Sequence, residues 1–146
     1  MAGTFSAQVD AWVAKAPERQ EAVFKEAIQR IVSIAQQPVA VGGNMPVRDG
    51  FLRASITATL GGSIPLQTLK PAEGIAYSYN PAEVSLVIAS ADREDLITIA
   101  WTANYARFVE YGARGRAGRR FLALAAQQWP RVVAEAAADL RTRVEG

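Results

Sequence analysis

The residues best suited to chemistry lie between Tyr105 and Phe121, where YARFVEYGARGRAGRRF sets Arg107, Arg114, Arg116, Arg119 and Arg120 against a single acid, Glu110. Four of these arginines fall within seven residues, spaced by Gly and Ala. A guanidinium offers a planar fork of N–H donors that matches phosphate or carboxylate oxygens, so such a segment can drape over a polyanion or an acidic protein surface. The same composition also describes a flexible solvated loop, and no aromatic side chains alternate with the arginines to stack bases. Glu110 stands in an otherwise apolar or basic stretch, where it is expected to pair with Arg107 one helical turn earlier or with an arginine of a neighbouring subunit.

The rest of the chain has few groups for catalysis. It contains no His and no Cys, which excludes imidazole and thiolate chemistry, most zinc sites and disulfides. Asp92, Glu94 and Asp95 cluster with Arg93 between two apolar runs, a pattern typical of a solvated turn. Phosphate-binding and nucleophile-elbow fingerprints are missing, and the glycine pairs in VGGN and LGGS are not set between a strand and a helix. The chain is therefore read as a non-enzyme without cofactor or metal. Its sixteen basic and fourteen acidic residues give a net charge of +2. Residues 107–120 alone carry +4, so the remainder is mildly acidic at −2. No apolar run is long enough for a membrane span, and no signal peptide is evident, so a soluble intracellular protein is expected.

The elements that must position the arginines follow from periodicity. The 146 residues suit a single domain, 1–146, with a short helix or arm over 1–16 carrying Val9, Trp12 and Val13. Apolar residues at Val23, Phe24, Ala27, Ile28, Ile31, Val32, Ile34 and Ala35 predict a long amphipathic helix from Pro17 to Gln37, stopped by Pro38. PVAVGGNMP reads as a loop, and Asp49 is placed to cap a short turn before the strand SITATL, 55–60. Residues 61–83, rich in Gly and Pro, including Pro71, form a long connection with a short edge strand in IAYSY. EVSLVIAS, 83–90, and DLITIAWT, 95–102, read as an antiparallel hairpin. ANYARFVEYG is helical and closed by Gly112, suited to a left-handed cap. A final stripe of Phe121, Leu122, Ala125, Trp129, Val133, Ala136, Leu140 and Val144 predicts one C-terminal helix kinked at Pro130. Trp12, Trp101 and Trp129 each lie on the apolar phase of their elements and read as packing residues. The expected class is α+β: an antiparallel sheet of three to four strands packed against the long N-terminal helix and the kinked C-terminal helix, with a free face or edge for assembly.

Three segments, in this order and with this spacing, resemble the tail-completion, or head-to-tail joining (neck), proteins of long-tailed bacteriophages, related to the minor tail protein Z of phage lambda. MPVRDGFLRAS is similar to the family's Pro-Val-Asp-Thr-Gly-x-Leu-x-x-Ser at Pro46, Val47, Gly50, Leu52 and Ser55, with Arg48 and Asp49 in place of the usual pair. YARFVEYG is similar to Tyr-Ala-x-x-x-Glu-x-Gly through Tyr105, Ala106, Glu110 and Gly112. RRFLALAA resembles Pro-Phe-Leu-x-x-Ala at Phe121, Leu122 and Ala125, with Arg120 where proline is common. The resemblance implies a structural virion protein at the neck or tail top, present in the host cytoplasm before assembly. It also implies a homo-oligomeric ring, usually a hexamer, that meets neck or connector proteins on one side and tail-terminator or tail-tube proteins on the other, with double-stranded DNA in its lumen. Weak, sequence-independent DNA contact is a role the five arginines can fill. The alternative is a basic nucleic-acid-binding module that uses residues 107–120 outside any virion.

Overall fold

The computed structural model describes residues 5–63, 65–69 and 74–145. Residues 1–4 of the N-terminal arm and Pro71 of the long connection lie outside these. α1 (Phe5–Ala14) and α2 (Pro17–Gln36) form as their periodicity predicts. Pro17 occupies the first turn of α2, where its missing N–H costs nothing, and Glu18 sits at the positive end of the dipole. The helix stops because Gln37 precedes Pro38 and is forced to extended geometry (φ −68°, ψ 121°). A single 3-10 turn (Val39–Val41) and left-handed Gly42 follow, and α3 (Phe51–Ala54) leads into β1 (Ile56–Leu60).

The expected hairpin of 83–90 with 95–102 does not form. Residues Pro81–Ser90 are a helix, α4, and only Ile97–Trp101 is a strand, β2, which pairs antiparallel with β1 from Ile56↔Trp101 to Leu60↔Ile97. The local start signals outweigh the β-branched composition. Asn80 Oδ1 accepts from the Ala82 N–H at 3.1 Å, Pro81 takes the first helical position, and Glu83 lies in the first turn. Val84 and Ile88, four residues apart, bury together against Val32 of α2 and Ile56 of β1. IAYSY forms no strand either; the Tyr77 N–H is spent on the Asp49 carbonyl at 2.7 Å.

The C-terminal stripe divides into α6 (Phe121–Ala126) and α7 (Trp129–Glu145) rather than one kinked helix. Pro130 can donate no bond to the Ala126 carbonyl and its ring crowds it, so the chain breaks at Gln127–Gln128 and restarts with proline in the first turn. The buried phase of α7 runs through Val132, Ala136 and Ala137, while Val144 is exposed. The protein is thus mixed, 56% helix and 13% strand. In place of one three- to four-stranded sheet, the described residues hold two separate two-stranded ladders, β1–β2 and the short pair β3 (Gly112–Ala113) with β4 (Arg116–Ala117).

Three apolar clusters hold these elements together. α1, α2 and α7 share Val9, Val23, Ala136 and Ala137. α2, β1 and α4 share Val32, Ile56, Val84 and Ile88. Met45, Phe51, Leu52, Ala103 and Phe121 form the third, with Tyr77, Trp101, Tyr105 and Ala106 around it. The polar link between the last two is Gln36, almost fully buried and fully engaged. Its amide N donates to the Arg53 carbonyl at 2.8 Å, and its side-chain oxygen accepts from the Trp101 indole N–H at 2.8 Å. Burial pushes the Tyr79 phenol above its ordinary value, opposed by its bond to Gln36 and by Arg53. The tryptophans pack as predicted: Trp12 is buried beneath the Arg19 guanidinium, Trp101 meets Phe121 edge-on at 5.1 Å, and Trp129 meets Phe24 at 6.0 Å.

Candidate assembly interface

α5 (Ala106–Tyr111) begins after Ala103–Tyr105, and its Phe108 and Val109 N–H groups both donate to the Tyr105 carbonyl. Gly112 (φ 94°, ψ 162°) ends it, with positive φ but not in the left-handed helical cap anticipated from the sequence. The chain passes directly into β3 (Gly112–Ala113), turns at Arg114-Gly115, and returns as β4 (Arg116–Ala117). Both turn residues have positive φ, 52° and 77°, which is the twist that closes a two-residue hairpin. A Cβ at Gly112 would lie 2.5 Å from the Arg116 carbonyl oxygen, so this approach needs glycine. The arginine segment is therefore a tight hairpin and not a draped loop.

Glu110 explains how the hairpin is held. It is 6% exposed and pairs with neither Arg107 nor any other described cation, so the expected pairing one helical turn earlier does not form. One carboxylate oxygen accepts from the Leu122 N–H at 3.0 Å and the other from the Ala123 N–H at 2.8 Å. These are first-turn amides of α6, whose own preceding residue, Arg120, supplies no side-chain cap. Backbone bonds from Arg119 N–H to the Val109 carbonyl (2.7 Å) and from Arg120 N–H to the Glu110 carbonyl (3.1 Å) close the unit. The visible sequence signal was the missing cap: RRFLA opens a helix with no Ser, Thr, Asp or Asn, so a remote acceptor was required.

All five candidate arginines are exposed, and among the described residues none has a carboxylate partner. Elsewhere the pattern differs: Arg30 bridges Glu26 and Asp139, Arg131 pairs with Glu135, and Arg141 with Glu145. Arg107 instead lies 5.1 Å over the Phe108 ring. Arg114 and Arg120, both with φ 52°, are the described non-glycine residues with positive φ. Each such backbone costs about 1 kcal/mol relative to glycine, so two arginines occupy positions where the fold alone favours another residue. Arg120→Pro is expected to cost about 3 kcal/mol in urea unfolding, because proline cannot adopt this φ and loses the N–H bonded to Glu110; Arg120→Gly should leave stability unchanged or raise it by about 0.5 kcal/mol. Equal effects of the two substitutions would contradict the left-handed backbone at 120.

The three motif segments converge. Phe51 and Leu52 from the first, Tyr105 and Ala106 from the second and Phe121 from the third all pack in the Met45 cluster. In the first segment the Asp49 carboxylate accepts from the Phe51 N–H at 3.0 Å, so the turn is capped despite the altered Arg48-Asp49 pair. Gly50 (φ 86°) lies against the Tyr77 carbonyl, and Ser55 Oγ donates to the Leu52 carbonyl at 2.7 Å. Pro46 is half-buried and follows Met45, whose complete burial in a predicted loop the sequence did not reveal. Ala125 is buried in α6, whereas Leu122 of α6 is exposed, as are Phe108 and Tyr111 of α5. Among the described residues no group of His, Cys, Asp and Glu is placed to hold a metal ion, and no helix is long and apolar enough to cross a membrane.

Comparison with curated proteins and with solved structures yields no match. A family profile does match, over residues 3–112, taking in the first two motif segments and ending at Gly112, just before Arg114. The convergent motif core and a profile match over most of the chain agree: this protein belongs to the Bacteriophage HK97-gp10-like family of tail components.

Proposed function

We propose that this tail component is a single-domain structural protein of the virion neck, forming a ring, with six copies as the family resemblance implies, that joins head to tail around the DNA channel. It performs no catalysis and meets connector proteins on one side and tail-terminator or tail-tube proteins on the other. The observation that carries the reading is a backbone-bonded hairpin whose arginines have no carboxylate partner among the described residues, on a chain of this family that also exposes Phe108, Tyr111 and Leu122. Exposed apolar groups next to unneutralised charge are what a subunit buries on assembly. Deleting the gene should yield separate heads and tails in negative-stain micrographs; fully assembled, infectious particles without it would end the proposal.

A second reading, nucleic-acid binding by residues 107–120 outside the virion, is favoured by the same five exposed arginines. It expects the purified chain to bind duplex DNA with steep salt dependence. Changing Arg114, Arg116, Arg119 and Arg120 to Ala should then remove most of the affinity, on the order of a hundredfold at low salt. Undiminished binding by that variant would exclude the hairpin as a DNA site.

A further inference from the structure

α2 sets two unlike surfaces apart. At its C-terminal end, Gln36 binds the Trp101 indole, Trp101 packs on Phe121, and Phe121 opens the helix that Glu110 caps beneath the arginine hairpin. Toward its N-terminal end, Lys25 donates to the Ala89 carbonyl at the close of α4, and Phe24 and Lys25 border a recess with Asp92, Arg93 and Ile97. Twelve residues of helix separate Phe24 from Gln36, about 18 Å. β2 runs between the same ends, from Ile97 to Trp101.

The far surface complements the hairpin in both charge and polarity. The turn between α4 and β2 carries Asp92, Glu94 and Asp95 against Arg93, a net of −2, and Asp92 and Glu94 are exposed. Exposed leucines flank it: Leu96 within the turn, Leu60 at the end of β1 and Leu86 on α4. Leu86, Ala89 and Ser90 share one helical face of α4, and all three are exposed. The hairpin end mirrors this with five arginines beside Phe108, Tyr111 and Leu122. An acidic, leucine-studded end and a basic, aromatic-studded end, separated along one rigid helix, form a head-to-tail pair of patches. A contact between unlike patches on identical chains is heterologous and generates closed rings or open filaments.

We infer that the arginine hairpin of one copy docks on the acidic turn and outer α4 face of the next, so that the occupant of this surface is a second copy of the chain. This rests on the ring reading and deepens it by assigning the two faces. The absence of cysteine in the sequence makes the arrangement directly testable. Ala117→Cys places a thiol on the exposed outer strand of the hairpin, and Ser90→Cys one at the end of α4; neither removes a charge. When the two single-cysteine proteins are mixed at equal concentration and mildly oxidised, the heterodisulfide should exceed either homodisulfide by about tenfold. Adding Glu94→Arg to the Ser90→Cys chain should remove that excess, and adding Arg116→Glu to the Ala117→Cys chain should restore it. Circular dichroism of each variant checks folding. Cross-links in random proportion, none at all, or no restoration by the paired charge swap would overturn the inference. Loss of the heterodisulfide on adding a short DNA duplex would do so as well, by assigning the arginines to phosphates. Infectious particles formed without the gene would remove the neck function and leave the cross-link result standing, so the two failures are distinguishable.

Discussion

Replacing Glu110 with alanine is expected to lower unfolding stability by about 3 kcal/mol, about 10 °C in Tm for a chain of this length, because two charge-assisted bonds to the Leu122 and Ala123 amides are lost inside the protein. Glu110→Gln retains one acceptor oxygen and should lose about half as much. Arg107→Ala should fall within about 0.5 kcal/mol of the parent, since Arg107 is exposed and makes no ion pair with described residues. The three variants can be compared by urea titration with circular dichroism. A large effect of Arg107→Ala that is not additive with Glu110→Ala would instead show the pairing that the sequence suggested.

The second large effect tests the segment whose type the sequence misrepresents. Ile88→Ala should cost about 3–4 kcal/mol, since Ile88 is fully buried among Val32, Ile56 and Val84, while Leu86→Ala should stay within about 0.5 kcal/mol because Leu86 is 69% exposed. In a strand, residues two apart share a face, and the two substitutions would have similar costs. In a helix they point in different directions. Equal losses at 86 and 88 would therefore contradict α4.

This segment also shows why part of the fold was hidden. EVSLVIAS is β-branched and lets its apolar residues fall at both two- and four-residue spacings, so periodicity over eight residues does not decide. The deciding information sits just outside, in Asn80, Pro81 and Glu83, a cap, a first-turn proline and a first-turn acid. α2 was legible because its apolar spacing persists over twenty residues, and β1 because Ile56, Ala58 and Leu60 alternate after a clear break. The helix break near Pro130 was legible in position but not in kind, since an in-phase stripe on both sides favoured continuity over restart.

The candidate site divides in the same way. The exposure of Arg114, Arg116, Arg119 and Arg120 follows from composition, because a Gly-Ala-Arg run has nothing to bury. Their geometry does not, because it depends on one long-range pair: a carboxylate on α5 meeting amides twelve and thirteen residues later. Single-sequence reading assigns an acid beside arginines to those arginines. It cannot see that an uncapped helix competes for the same acid and, once desolvated, wins.

The carboxylate of Glu110 has a mechanical consequence. A pull on the hairpin is carried across the Glu110 oxygens into α6, from Phe121 into the Trp101 ring, and from the Trp101 indole N–H into Gln36 at the end of α2. Every side chain on this load path is buried or half-buried, so each is held by its packing as well as by its bond. The arginine tip and the twenty-residue helix α2 are thereby joined by a continuous chain of contacts.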